Sequence, residues 1–317
     1  MKVYKFILLF LIIFVFCSCR KGVNTVKHEF NELNFSKIDT VSVQKVDSIQ
    51  DIEYWTLLDG ELICKIPSSE MIYTVFDNKT LGKKSVFGKK GRGKNEWISP
   101  HIVAKNTDGI LVFDNGNKNL YSVKGHNVEK IKIIDIKGAI NDVKTINYPI
   151  IGYVSVTPNI QCLNLVNLED YNLVDSISFI DSSNKGNSSL YDFVWNGYED
   201  KIVIAHQHSD RFIIYKIDGK YTVIETSIYD THEDFSAERI TYSDIACGKY
   251  IYILSQKNVN INDATGFSEV EIYDYDGNCI RKLVMNIIAD KMLLDENNNR
   301  LFLTSIEDNS LNILKLK

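Results

Sequence analysis

Four cations fall within six positions, Lys89, Lys90, Arg92 and Lys94, and glycines at 88, 91 and 93 interrupt them. On a loop, such side chains can meet a phosphate, a carboxylate or an anionic glycan. A phosphate cradle of the Walker type would need a strand before the glycines and a helix after them, and that order is absent. A second constellation combines imidazole and carboxylate. His206 and His208 stand two apart, and Asp230-Thr231-His232-Glu233-Asp234 follows one hairpin later. The set His206, His208, His232 and Asp234 has the ligand types zinc takes, and the acids alone would suit calcium. Against this, His208 falls in a turn and the acidic run reads as a solvated loop, so no cofactor is expected. No G-x-S-x-G elbow occurs and no cysteine lies near a histidine in sequence, which leaves no nucleophilic set. The chain therefore reads as a non-catalytic binding or assembly module. Two alternatives stay open: a metal-assisted hydrolase or lyase using the histidines, and a glycan-capture protein presenting Trp195, Tyr198 or Tyr229 around a funnel.

The N-terminus says where such a module works. Lys2 and Lys5 precede the 11-residue apolar run Phe6 to Phe16, which Cys17-Ser18-Cys19 follows. The run is too short to span a bilayer and has the order of a secretory signal. Its end resembles a bacterial lipobox with Cys19 as the acylated residue, although Phe16 and Cys17 stand where that motif prefers an aliphatic and a small residue. The expected organisation is a signal peptide over 1–18, a tether over 19–36 and one domain over 37–317. Loss of Lys2 and Lys5 leaves 34 basic side chains against 41 acidic ones, about −7. That balance argues against nucleic acid as a partner.

The elements that must position these residues are strands. Tyr, Val, Ile and Thr dominate short apolar bursts such as Met71 to Phe76 and Arg211 to Ile217, and turn signals such as Asp218-Gly219-Lys220 and Asp276-Gly277-Asn278 separate them. Apolar strands recur at Leu62, Ile110, Ile150, Ile202, Ile251 and Leu301, at separations of 48, 40, 52, 49 and 50 residues. Six repeats of this size predict an all-β, six-bladed β-propeller of four-stranded antiparallel blades. The last repeat holds only three strands, so Thr40 to Val46 is predicted to supply its fourth and close the ring. Cys64, Cys162, Cys247 and Cys279 lie far apart in strand-like runs and read as small buried hydrophobes.

The segment from Phe87 through Trp97, Pro100-His101 and Asp108 to Tyr121 resembles an NHL repeat. It is similar to that of the six-bladed propeller lipoproteins of Bacteroidetes, in the TolB-like group, whose loop reads G-x-x-G-x-G-x-x-E-[FYW]. Lys94 and Asn95 stand where that family has Pro and Gly. The glycines suit a tight crossover between blades, with Trp97 plugging the seam. The resemblance implies a Gram-negative envelope lipoprotein, outer-membrane anchored. Arg20-Lys21 after Cys19 favour the periplasmic face, because surface-export signals in that group tend to be acidic. The expected partners are the membrane, through the lipid, and a protein or anionic envelope ligand, with the chain acting as a monomer.

Overall fold

In the strand Lys201–His206, Ile202, Val203, Ile204 and Ala205 are all buried. Successive side chains of a strand point to opposite faces, so both faces must be covered. Ile202 and Ile204 join one apolar cluster, and Val203 and Ala205 join another. The same division repeats around the molecule. Among the described residues there are six apolar clusters, and each is shared by two neighbouring sheets. Sheets covered on both faces by other sheets close into a ring, and the ring is a six-bladed propeller.

The computed structural model describes residues 23–29, 34–67, 69–93, 95–106, 109–124, 127–133, 139–157, 160–179, 193–230, 240–260, 263 and 265–316. From axis to rim, blade 1 contains Tyr54–Leu58, Glu61–Lys65, Met71–Asp77 and Lys83–Lys90, with the short parallel strand Glu96–Trp97 at its edge. Blade 2 contains Pro100–Asn106, Gly109–Asp114, Asn119–Lys124 and Asn127–Ile133, and blade 3 contains Ala139–Asn147, Ile150–Thr157, Ile160–Asn167 and Leu173–Phe179. Blade 4 runs Phe193–Tyr198, Lys201–His206, Phe212–Ile217 and Val223–Asp230; blade 5 runs Tyr242–Cys247, Ile251–Ser255, Glu269–Tyr273 and Cys279–Met285. Blade 6 has Ala289–Asp295, Arg300–Ser305 and Leu311–Lys315. All six inner strands begin on one face of the ring, called here the upper face, which also carries the described crossover from blade 1 to blade 2. Among the described residues no helix is long and apolar enough to cross a membrane.

An N-terminal strand closes the ring, but it is shorter than the run Thr40 to Val46. Only Gln44–Val46 pairs with Leu311–Lys315, where Lys45 also meets Asp308 at 2.6 Å. Thr40 and Val41 belong instead to Ile38–Val41, which adds a parallel strand to the rim of blade 5 and is held by Arg281 on Asp39 at 2.5 Å. Ser42 and Val43 carry the chain from one blade to the next. The stretch expected as a tether over 19–36 is also partly structural. Asn24–Glu29 pairs in parallel with Val223–Asp230, and His28 stacks on Tyr229 at 4.7 Å. Blades 1, 4 and 5 thus have five strands rather than four.

Candidate functional site

The inner strands enclose an axial cavity of about 580 Å³, to which every blade contributes, with Thr56, Ile102, Asp142, Asn196, Ser243 and Asp290 among its lining. Its polar side chains form a circuit. Tyr54 of blade 1 donates to the Ile102 carbonyl of blade 2 at 3.0 Å, and Thr145 of blade 3 donates to the Val103 carbonyl. Lys144 donates to the Trp195 carbonyl of blade 4 at 2.8 Å, and Asn196 of blade 4 donates to the Ile245 carbonyl of blade 5 at 3.1 Å. The Asp244 carboxylate accepts from the Met292 amide of blade 6 at 2.7 Å, and Lys291 donates to the Glu53 carbonyl before blade 1 at 2.8 Å. Each of the six seams therefore has one side-chain-to-backbone bond beside the axis.

Lys144 is the charged centre of this circuit, 3.4 Å from Asp142 and 3.7 Å from Asp244. Burial alone would depress its ammonium, but the two carboxylates outweigh that and hold it above the usual lysine range. Asp244 spends one carboxylate oxygen on the Ile245 amide and the other on Met292. Burial still holds the Asp244 carboxyl above the usual carboxylate range, and one ammonium faces two carboxylates, so it is the bonds of Lys144 and Asp244 to the neighbouring blades that suit a structural clamp.

The glycine-rich segment lies on the upper face, between the rim of blade 1 and the start of blade 2. Gly88 adopts φ +79°, and a Cβ there would come within 2.5 Å of the Trp97 ring. Trp97 is fully buried and touches Tyr73, Phe87 and Tyr121, so it plugs the seam between blades 1 and 2 as the sequence suggests. Glu96 folds back over the glycines, accepting from the Gly93 amide at 2.8 Å, and a Cβ on Gly91 would overlap its carboxylate. That amide bond, reinforced by Lys89 at 3.2 Å, holds the Glu96 carboxyl below the usual range. Asn95 has φ +65°, a conformation asparagine tolerates.

The four expected ligand-face cations do not act alike. Lys89 is engaged by Glu96, Lys90 is exposed at the end of its strand, and Lys94 lies outside the described residues. Arg92 borders a second cavity, of about 620 Å³, with Gly93, Asn95, Asn119, Tyr121 and Lys130. Among the described residues neither Arg92 nor Lys130 has an ion pair. Arg92 is legible in the sequence from local charge clustering, whereas Lys130 belongs to the outermost strand of blade 2 and reaches the loop only through the fold.

The histidine set is not assembled among the described residues, where no group of three or more His, Cys, Asp or Glu could hold a metal. His232 and Asp234 lie outside those residues. His206 ends its strand at the upper face, and burial, aided by Arg211, lowers its pKa to about 4. The aromatics proposed for a funnel are also placed otherwise. Trp195 is fully buried against Gly152, Tyr229 is buried, and Tyr198 stacks on Tyr275 at 6.3 Å. The four described cysteines are free; Cys64 is buried as the sequence suggests, whereas Cys162, Cys247 and Cys279 are only half-buried, and burial raises the thiols of Cys64 and Cys247 to about 12.

No protein-family model matches the sequence, and no curated protein matches it. Several solved structures share its fold. A "putative exported protein" from Bacteroides fragilis superposes with a TM-score of 0.56 at 11% identity, over 92% of this chain and 99% of its own. A DUF4221-family member from Bacteroides vulgatus gives 0.55 at 12% identity, over 90% and 96%. The Cps50 (Swd1) β-propeller domain from Myceliophteria thermophila gives 0.51 at 10% identity, over 87% and 100%. At such identities the likeness is one of fold.

Proposed function

We propose that the chain is a non-catalytic binding module of a bacterial cell envelope, held on the periplasmic face of the outer membrane by acylation at Cys19 and taking an anionic ligand on its upper face. The carrying observation is the contrast in how charge is used. Lys144 on the axis is engaged by Asp142 and Asp244, whereas Arg92 and Lys130 border an open groove without ion pairs among the described residues. Catalysis needs ionisable groups poised for a substrate, and Lys144 and Asp244 are committed to bonds across the blade seams. A cation left unpaired at a groove is available to a partner. The protein acts as a monomer, and its net charge of −5 disfavours nucleic acid.

Anchoring is supported by the short signal run before Cys19 and by the position of the first strand. Asn24 already pairs on the lower end of the blade 4 rim, so only residues 20–23 separate it from the acceptor. The lipid would hold the lower face at the bilayer, leaving the groove, on the far side of the ring and on the upper face, directed away from it. The exported-protein name of the Bacteroides fragilis neighbour fits this compartment. Replacement of Cys19 by Ala should abolish fatty-acid labelling and release the protein from membranes; undiminished labelling refutes the anchor. Replacement of Lys89, Lys90, Arg92 and Lys94 by Ser should weaken recovery of envelope partners in a salt-dependent way. Unchanged recovery at low salt refutes the ligand face.

A further inference from the structure

The groove beside Arg92 carries more than positive charge, and its other groups narrow the ligand. Its volume of about 620 Å³ lies within the range of small-molecule sites, about 300–1,000 Å³. Tyr121 forms a fixed wall: it is buried, and its ring lies 5.8 Å from the Trp97 ring. Asn119 is also buried and donates its amide nitrogen to the Tyr121 hydroxyl at 3.2 Å. With its oxygen accepting that bond, the tyrosine hydroxyl keeps its hydrogen to donate to another group. Asn117 donates its amide nitrogen to Asp114 at 2.7 Å. With the amide nitrogen of each asparagine engaged, it is the side-chain carbonyl oxygen that can accept from a hydroxyl group. Asn95, fixed by its left-handed backbone, adds an amide from the loop.

Two kinds of ligand group are thus provided for. Arg92 and Lys130 are donors suited to a carboxylate or phosphate, the guanidinium by a bidentate fork. The asparagine carbonyls, the tyrosine hydroxyl and the Glu129 carboxylate that also borders the groove suit a set of sugar hydroxyls. A bare anion would leave the amides unused, and a neutral sugar would leave the two cations unused. We infer that the groove takes an anionic saccharide, with its carboxylate or phosphate between Arg92 and Lys130 and its hydroxyls on Asn117, Asn119 and Tyr121. This rests on the upper-face binding role proposed above and names the ligand class for it.

The test is calorimetric titration of the membrane-purified protein in detergent with digalacturonate, maltose 1-phosphate, maltose and inorganic phosphate. At least one of the anionic disaccharides should bind saturably, and whichever binds tighter identifies carboxylate or phosphate as the anion. Maltose and free phosphate should bind at least tenfold more weakly. The double variant Arg92→Gln with Lys130→Gln should lose at least tenfold in affinity for the anionic disaccharide and most of the salt dependence. Asn119→Ala should lose affinity for the disaccharide while keeping its salt dependence. Equal binding of maltose removes the anionic requirement, and equal binding of phosphate removes the saccharide. No binding of either anionic disaccharide overturns the proposal, and so does full affinity in the double variant. Salt-sensitive partner recovery by the protein alongside silent titrations would separate failure of the ligand class from failure of the binding role.

Discussion

The axis and the groove hold the same kinds of residue and use them in opposite ways. On the axis, Lys144 sits between Asp142 and Asp244 and also donates to a backbone carbonyl of the next blade. At the groove, Arg92 and Lys130 face open volume without ion pairs among the described residues, and the Glu96 carboxylate of the same loop is turned toward the glycines and Lys89. The lesson is that a charge in a propeller's central cavity is not by itself a functional sign. There, desolvation forces every ionisable group to find a partner, and the partners come from neighbouring blades. At the rim, water solvates a free cation at little cost, so one that is left unpaired can serve an outside ligand.

The comparison breaks most visibly at Lys144. Lys144→Met leaves two carboxylates without their cation in a half-buried setting, and the expected loss of stability is about 2–4 kcal/mol by chemical denaturation. A change under about 1 kcal/mol would mean the axial charges are dispensable and free for another use. Acidification probes a second buried group. The His206 ring is neutral in the fold, with its pKa lowered to about 4, whereas an unfolded histidine titrates near 6.5. The unfolded chain therefore binds the extra proton first, so stability is complete above about pH 6.5 and falls as pH drops toward 4, by about 1–3 kcal/mol from this residue. His206→Gln should flatten that window; an unchanged slope would show the histidine to be solvated. Asn196→Ala removes one seam bond and should cost about 1 kcal/mol. Smallest of all, Arg92→Gln with Lys130→Gln should shift stability by no more than about 0.5 kcal/mol, in contrast with its effect on ligand capture. A larger loss would place those cations in the fold rather than at a binding surface.

What the sequence made legible follows from the same physics. The six repeats were visible because each blade needs apolar bursts and turn residues at fixed places, as in Ile202 to Ala205 and Asp218-Gly219-Lys220. The seam role of Trp97 was visible because glycines precede a large aromatic. The strand Asn24–Glu29 was not, because an exposed rim strand buries little and Asn-Thr-Val-Lys-His-Glu has no apolar face to betray it. The split of the closing segment into Ile38–Val41 and Gln44–Val46 was hidden for the same reason, since a rim strand needs only backbone partners. The axial circuit was invisible because its acceptors are mostly backbone carbonyls, which every residue carries. Arg92 could be found from local charge clustering, whereas Lys130 joins it only after blades 1 and 2 are assembled.

The most direct test of the account is amide hydrogen exchange on the membrane-purified protein, with and without the anionic disaccharide that binds tighter. The account predicts added protection in the segments 91–97 and 117–130 and none along the inner strands at 142–145 and 243–245. Protection concentrated on those inner strands, with the groove unchanged, would place the ligand on the axis and contradict the division of labour between the two regions.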